Sequence, residues 1–222
     1  LLAYGVLEAD VFAIPSCIIV SLTRGDGSVL TKTKRIFSTS VNLDKIDRLN
    51  DLCRRICKEC PSFAVVEQEL CAIAARRVFP LWVLVLCFAG VSAAFTLFFG
   101  GMLQDAACAL VLGACVKLST YHMNKLNANG FFVNMVGSAV AATLAAVAVW
   151  LGLGVNLDKM IIGTFMTMVP GVAITNSMRD IIAGDLIAGL TTTVKAVLVA
   201  TAMALGAALA LLVAKYLWGI TP

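Results

Sequence analysis

An apolar run of membrane length, Met160 to Met178, carries Pro170 and Gly171 at its middle and Arg179 and Asp180 directly after it. Proline has no N–H to donate and its ring crowds the carbonyl four residues back, here Met166, while Gly171 adds backbone freedom. A helix over this run is therefore kinked or unwound about halfway across a bilayer. Backbone carbonyls released at that depth line a path for something polar, as in carriers built on discontinuous helices.

Composition places the run in a membrane. Of the 222 residues, 60% are hydrophobic, against about 45–50% in soluble domains. The charges divide the chain: residues 1–80 hold eleven of the 17 Lys and Arg and nine of the 13 Asp and Glu. The expected organisation is a small cytoplasmic α/β domain over 1–79 followed by a mainly α, polytopic membrane domain over 80–222. The net charge of +4 is modest, and nothing in the sequence supports nucleic-acid binding. The chain opens on Leu1 without a cleavable signal, which reads as a trimmed N-terminus.

In the first domain, Val11–Ile14 and Cys17–Leu22 are short and β-branched, bounded by Pro15 and by the turn Arg24–Ser28, which predicts strand, hairpin, strand, the second strand, Val29–Phe37, being an edge or solvated. Asn42 caps a helix through Glu59 with Leu43, Ile46, Leu49, Leu52, Cys53 and Ile56 on one face. Pro61 ends it and Ser62 caps another from Phe63 to Val78. Cys53, Cys57 and Cys60 share a helix face without a nearby histidine, so the eight cysteines are expected as reduced, packed thiols rather than as disulfides or a metal site.

Five spans are expected in the second domain, at 81–99, 106–121, 131–152, 159–178 and 190–218, each near the ~20 residues a bilayer demands. Lys117 falls near the end of the second, where its side chain reaches the headgroups. Basic flanks at Arg76, Arg77, Lys117, Lys125 and Arg179 place the N-terminal domain in the cytoplasm and the C-terminus outside. An odd number of spans implies a second membrane subunit. Small residues four apart, Gly137, Ala141 and Ala145 in the third span and Ala202, Gly206, Ala210 and Ala214 in the last, permit close helix contact, within one subunit or between two.

Ionisable residues in membrane segments need a reason. Asp105, Asp158 and Lys159 read as solvated span ends, Lys195 as a cytoplasmic anchor and His122 as a solvated loop residue. Arg179, Asp180 and Asp185 cluster beyond the break, with Thr175, Asn176 and Ser177 just upstream. That mixture of charges, donors and acceptors suits a zwitterion or a carboxylate; a salt-bridged hairpin is the structural alternative. Thr164 and Thr167 precede Pro170 on one face and either meet substrate or bond their own backbone. The Gly184-Asp185 pair is also found in intramembrane aspartyl proteases, but no second aspartate stands where such an enzyme needs one, so no enzyme is expected.

The segment Val169–Asp180, continuing through Gly184-Asp185-Leu186 and Gly189-Leu190, closely resembles the threonine/serine exporter family of bacteria, whose hallmark is a Pro-Gly-Val-Ala, Thr-Asn, Arg-Asp, Gly-Asp series. Tyr4-Gly5, Asp10-Val11-Phe12, Val41–Lys45, Phe98–Gly101, Asn129–Phe132 and Asn156–Lys159 also match family landmarks, so the resemblance spans the chain. It implies a proton-motive-force-driven secondary transporter of the inner membrane, an antiporter exporting small amino acids or, in a split two-subunit branch, dicarboxylates such as succinate. No cofactor or metal is implied. A chain of five spans resembles the larger subunit of the split branch. Lys195 stands where many members have Glu, and Thr192 near a family Arg. On this reading Thr175, Asn176 and the exposed backbone at Pro170 and Gly171 bind substrate, Arg179 pairs its carboxylate, and Asp180 or Asp185 responds to protons. A membrane sensor or scaffold that transports nothing is the alternative from another class.

Overall fold

The computed structural model describes residues 6–14, 16–36, 42–76 and 79–219. The chain divides into two compact units, Leu1–Val78 and Phe79–Pro222.

The first unit contains three antiparallel strands rather than two, β1 (Val6–Ile14), β2 (Cys17–Arg24) and β3 (Val29–Arg35), in the order β1-β2-β3. The run expected as one strand folds back on itself, because Ile14 pairs with Cys17 across a two-residue connection. Pro15 in that connection lies outside the described residues. In the β2–β3 turn, Asp26 accepts hydrogen bonds from the Ser28 N–H (2.8 Å) and hydroxyl (2.6 Å), and Gly27 takes a φ of 80°. Strand β3 is exposed along its whole length.

Two helices follow, α1 (Leu43–Glu59) and α2 (Phe63–Ala75). The Asn42 side chain accepts from the Lys45 N–H, and Cys60 in the left-handed region closes α1 before Pro61. The two helices are tied by Arg55–Glu69, by Arg76–Asp44 (2.6 Å) and by the Lys45 ammonium on the Ala74 carbonyl (2.7 Å). Of the expected apolar face only Leu52 is buried; Leu43, Ile46 and Leu49 are exposed. Cys53, Cys57, Cys60 and Cys71 are exposed as well, so the expectation of packed thiols fails for them.

The second unit is helical throughout: α3 (Leu81–Phe98), α4 (Leu103–Lys125), α5 (Gly130–Trp150), α6 (Leu157–Phe165), α7 (Gly171–Ile182) and α8 (Leu186–Trp218). Four of these, α3, α4, α5 and α8, are long and apolar enough to cross a membrane. The expected fourth span is not one helix but two short ones, so a count of five continuous spans is not what the chain forms. Helix α4 runs further than expected, which places His122 inside its last turn, where Nδ1 meets the Leu118 carbonyl at 2.8 Å.

Small residues set the crossings. Ala202, Gly206, Ala210 and Ala214 are buried, and a Cβ on Gly206 would collide with the Met135 carbonyl and the Ser138 hydroxyl of α5. The α8 stripe therefore packs inside this subunit. A Cβ on Gly163 would strike Thr96 of α3, and one on Gly113 would strike Ser92 of α3. Close approach of this kind replaces the hydrophobic drive that lipid cannot provide.

Helices α5 and α8 are parallel. Ser138 meets Gly206 at one level, and twelve residues later in each helix the rings of Trp150 and Trp218 lie 6.1 Å apart. The chain between them must therefore return the full distance. From its start beside the end of α5, α6 descends until Met168 reaches Gly137, and α7 continues for another twelve residues, or about 18 Å at 1.5 Å per residue.

Candidate functional site

The break between α6 and α7 is built by backbone chemistry. Thr167 N–H bonds the Thr164 carbonyl (3.1 Å) and Met168 N–H the Phe165 carbonyl (2.8 Å), which tightens the end of α6. Pro170 then has no hydrogen to give, and Gly171 N–H turns back to the Val169 carbonyl (2.8 Å). Among the described residues, the carbonyls of Met166, Thr167 and Met168 accept no backbone hydrogen bond. Three consecutive open acceptors in an apolar helical unit are costly where water does not reach them, unless something polar satisfies them.

Beside the break is a cavity of about 260 Å³ lined by Phe88 of α3, Thr120 and Asn124 of α4, Gly130, Val133 and Asn134 of α5, and Thr167 and Met168. It is smaller than the ~300–1,000 Å³ of drug-sized sites and fits a ligand of few heavy atoms. Its lining is half polar in character and contains no carboxylate. Asn134 Nδ2 is held by the Gly130 carbonyl at 2.7 Å, which leaves its side-chain oxygen as an acceptor. One face of α4 presents Lys117, Thr120 and Asn124 at helical spacing.

Lys117 is not at the end of its helix. It lies eight residues before Lys125, about 12 Å inside the helix end, half-buried, with Nζ 4.3 Å from the centre of the Phe88 ring. The expected second span was too short, which made this residue look terminal. An interior cation in a membrane helix costs about 2.5–3.5 kcal/mol on insertion scales.

The expected site residues fall into two groups. Thr164 is fully buried and bonds the Met160 carbonyl (2.8 Å), Thr167 bonds the Thr164 carbonyl (2.7 Å) while lining the cavity, and Pro170 and Gly171 form the break itself. Thr175, Asn176 and Arg179 are exposed on α7, with Thr175 bonded to the Gly171 carbonyl (3.1 Å). Arg179 is 76% exposed and 3.7 Å from Asp180; Asp185 is exposed at the start of α8. Among the described residues, α8 is the one helix that α7 packs against. Arg179 lies eight residues past Gly171, about 12 Å along the helix, so the chain by itself does not gather the two groups into one cavity.

Asp105 departs from the expected solvated flank. It is fully buried, and its carboxylate accepts from the N–H groups of Met102 (2.9 Å), Val155 (2.7 Å) and Asn156 (3.1 Å) and from the Asn156 amide (2.8 Å). Sequence reasoning missed Asn124 and Asn134 as cavity residues, and Lys117 as an interior cation packed on Phe88, a wall of the cavity. The Lys117, Thr120, Asn124 spacing on α4 was the available signal.

The sequence matches the model of a family described as "Putative threonine/serine exporter" over residues 2–214. This chain belongs to that family. The family is one of membrane exporters, in keeping with four membrane-length helices. No curated protein and no solved structure matches the chain.

Proposed function

We propose that this chain is a subunit of an inner-membrane secondary exporter for small amino acids such as threonine and serine, driven by the proton motive force. The observation that carries this reading is the break at Met166–Pro170, whose open carbonyls adjoin a small polar cavity within a membrane-type bundle.

In this reading α6 and α7 together form a fifth crossing, interrupted at its middle. The parallel course of α5 and α8 supports it, since the intervening chain has to return. Five crossings put the two chain ends on opposite sides, with the first unit, residues 1–78, in the cytoplasm as the basic flanks favour. The cavity then opens on the cytoplasmic half, because it lies where α4 ends and α5 begins. The Asp105 linkage belongs to the outer end and holds it closed. This is the arrangement of a transporter ready to load from the cell interior.

A second membrane subunit covers α7. Its exposed Thr175, Asn176 and Arg179 are expensive against lipid and have only α8 behind them. With that partner, Arg179 meets the substrate carboxylate at the entrance, and Thr167 with the open carbonyls receives the substrate at the break. Thr164, Pro170 and Gly171 shape the break, while Asp180 and Asp185 exchange protons with the cytoplasm.

The test is efflux from cells loaded with a threonine-containing dipeptide. Cells expressing the chain with its partner should release threonine faster than cells lacking it, and a protonophore should remove the difference. Equal efflux with and without the chain would refute the proposal.

A further inference from the structure

We infer that Lys117 holds the carboxylate of the substrate in the cavity beside the break, and that this cavity takes a small α-amino acid with one carboxylate and one ammonium. The inference rests on the transport reading above and adds the site within this chain.

Four observations meet at Lys117. Its ammonium lies inside α4 rather than at a helix end, and among the described residues it forms no ion pair or hydrogen bond, only the contact with Phe88. Phe88 is itself a wall of the cavity, so the ammonium sits just behind the lining and reaches the cavity by leaving the ring. Thr120 and Asn124, on the same face of α4 and one and two turns beyond Lys117, line the cavity too. No carboxylate lines the cavity to compete for the cation. A cation retained in a bundle without a protein counter-ion marks the place where a ligand supplies one.

The remaining polar groups fix the other end of the ligand. An ammonium needs acceptors, and the cavity is lined by Asn134, whose side-chain oxygen is left as an acceptor, and by Thr167 and Met168, whose backbone carbonyls accept no backbone hydrogen bond. One cation with several neutral acceptors matches a zwitterion. A dicarboxylate would leave its second charge facing carbonyl oxygens, which repel it. Lysine rather than arginine suits the task because a single ammonium on a flexible stem can leave the ring and follow the carboxylate. Phe88 then acts as the resting place that the carboxylate displaces.

The experiment measures binding to the full chain in lipid nanodiscs, with L-threonine, L-threoninamide and succinate as probes. Threoninamide keeps the ammonium and the side chain but lacks the carboxylate. Wild type should bind threonine at least about tenfold more tightly than threoninamide, and Lys117→Met should erase that preference while leaving threoninamide unchanged. Lys117→Arg should restore part of it. On the unsubstituted protein, threonine should slow acetylation of Lys117 by a small uncharged ester, and threoninamide should not, which keeps the test open even where a variant fails to fold. Threonine binding that is unaffected by Lys117→Met, with no protection of Lys117, overturns the site and leaves the transport reading intact. Succinate bound in a Lys117-dependent way without any threonine binding keeps the carboxylate subsite but overturns both the zwitterion and the amino-acid reading. No binding of any probe to wild type overturns the site.

Discussion

Asp105 and Asn156 are joined twice, through the backbone N–H of Asn156 at 3.1 Å and its side-chain amide at 2.8 Å. Fifty-one residues apart in sequence, they tie the start of α4 to the turn before α6, and Met102 and Val155 add two more donors to the same carboxylate. A buried carboxylate with four donors satisfies both ends of the linkage. It fixes the entry of α6 into the bundle, and through α6 the depth of the break.

Asp105→Ala removes that acceptor and leaves the N–H groups of Val155, Asn156 and Met102 unsatisfied. A fully buried orphan costs about 1–3 kcal/mol, and these part-buried groups lie toward the low end. The variant should melt well below wild type in detergent, measured by a thermal scan of the purified protein. Asp105→Asn, which retains one acceptor oxygen, should fall between the two.

Gly206→Ala and Gly163→Ala test the crossings. The added methyl would press on the Met135 carbonyl in the first case and on the Thr96 backbone in the second, neither of which can swing aside. Overpacking of this kind costs about 1–3 kcal/mol. Gly90→Ala is the control, because nothing lies within 4 Å of its Cβ; it should be neutral or slightly stabilising from helix propensity. Thermal unfolding of the three variants side by side gives the ranking.

Pro170→Ala restores an N–H where the helix is interrupted and lets it close on the Met166 carbonyl. An acceptor is then removed from the substrate path. Loss of one such interaction corresponds to about a tenfold fall in transport rate, with the melting temperature unchanged or raised. Efflux and thermal unfolding on the same preparation separate the two effects.

Arg179→Gln should leave stability within about 0.5 kcal/mol, since the side chain is 76% exposed and its ion pair with Asp180 spans 3.7 Å. Transport in the presence of the partner subunit should nevertheless drop. Asp180→Asn or Asp185→Asn should flatten the dependence of efflux on external and internal pH. If both variants export with an unaltered pH profile, these aspartates do not carry protons.

The break was legible from Pro170 alone, because a missing N–H is a local property of the residue. The division at about residue 80 was equally plain in the distribution of charge. What the sequence hid were distances. Asp105 looked like a helix flank because its partners Val155 and Asn156 come fifty residues later, from a glycine-rich turn whose sequence does not say which helix it meets. Lys117 looked like an anchor because the hydrophobic window closed too early on α4, whose last turns hold His122, Asn124 and Lys125. At Ile14–Cys17 the sequence marks a boundary at Pro15, but β-branched residues on both sides of it do not tell one interrupted strand from two paired ones. For Thr175, Asn176 and Arg179, the single chain leaves α7 with one neighbour, and residue type alone does not say what fills the other side.

Counterflow in proteoliposomes holding this chain together with its second subunit tests the central claim most directly. With unlabelled threonine inside, labelled L-threonine and L-serine should accumulate transiently and labelled succinate should not, and Lys117→Met should abolish the accumulation. Accumulation of succinate without either amino acid, or of none of the three, would contradict the account.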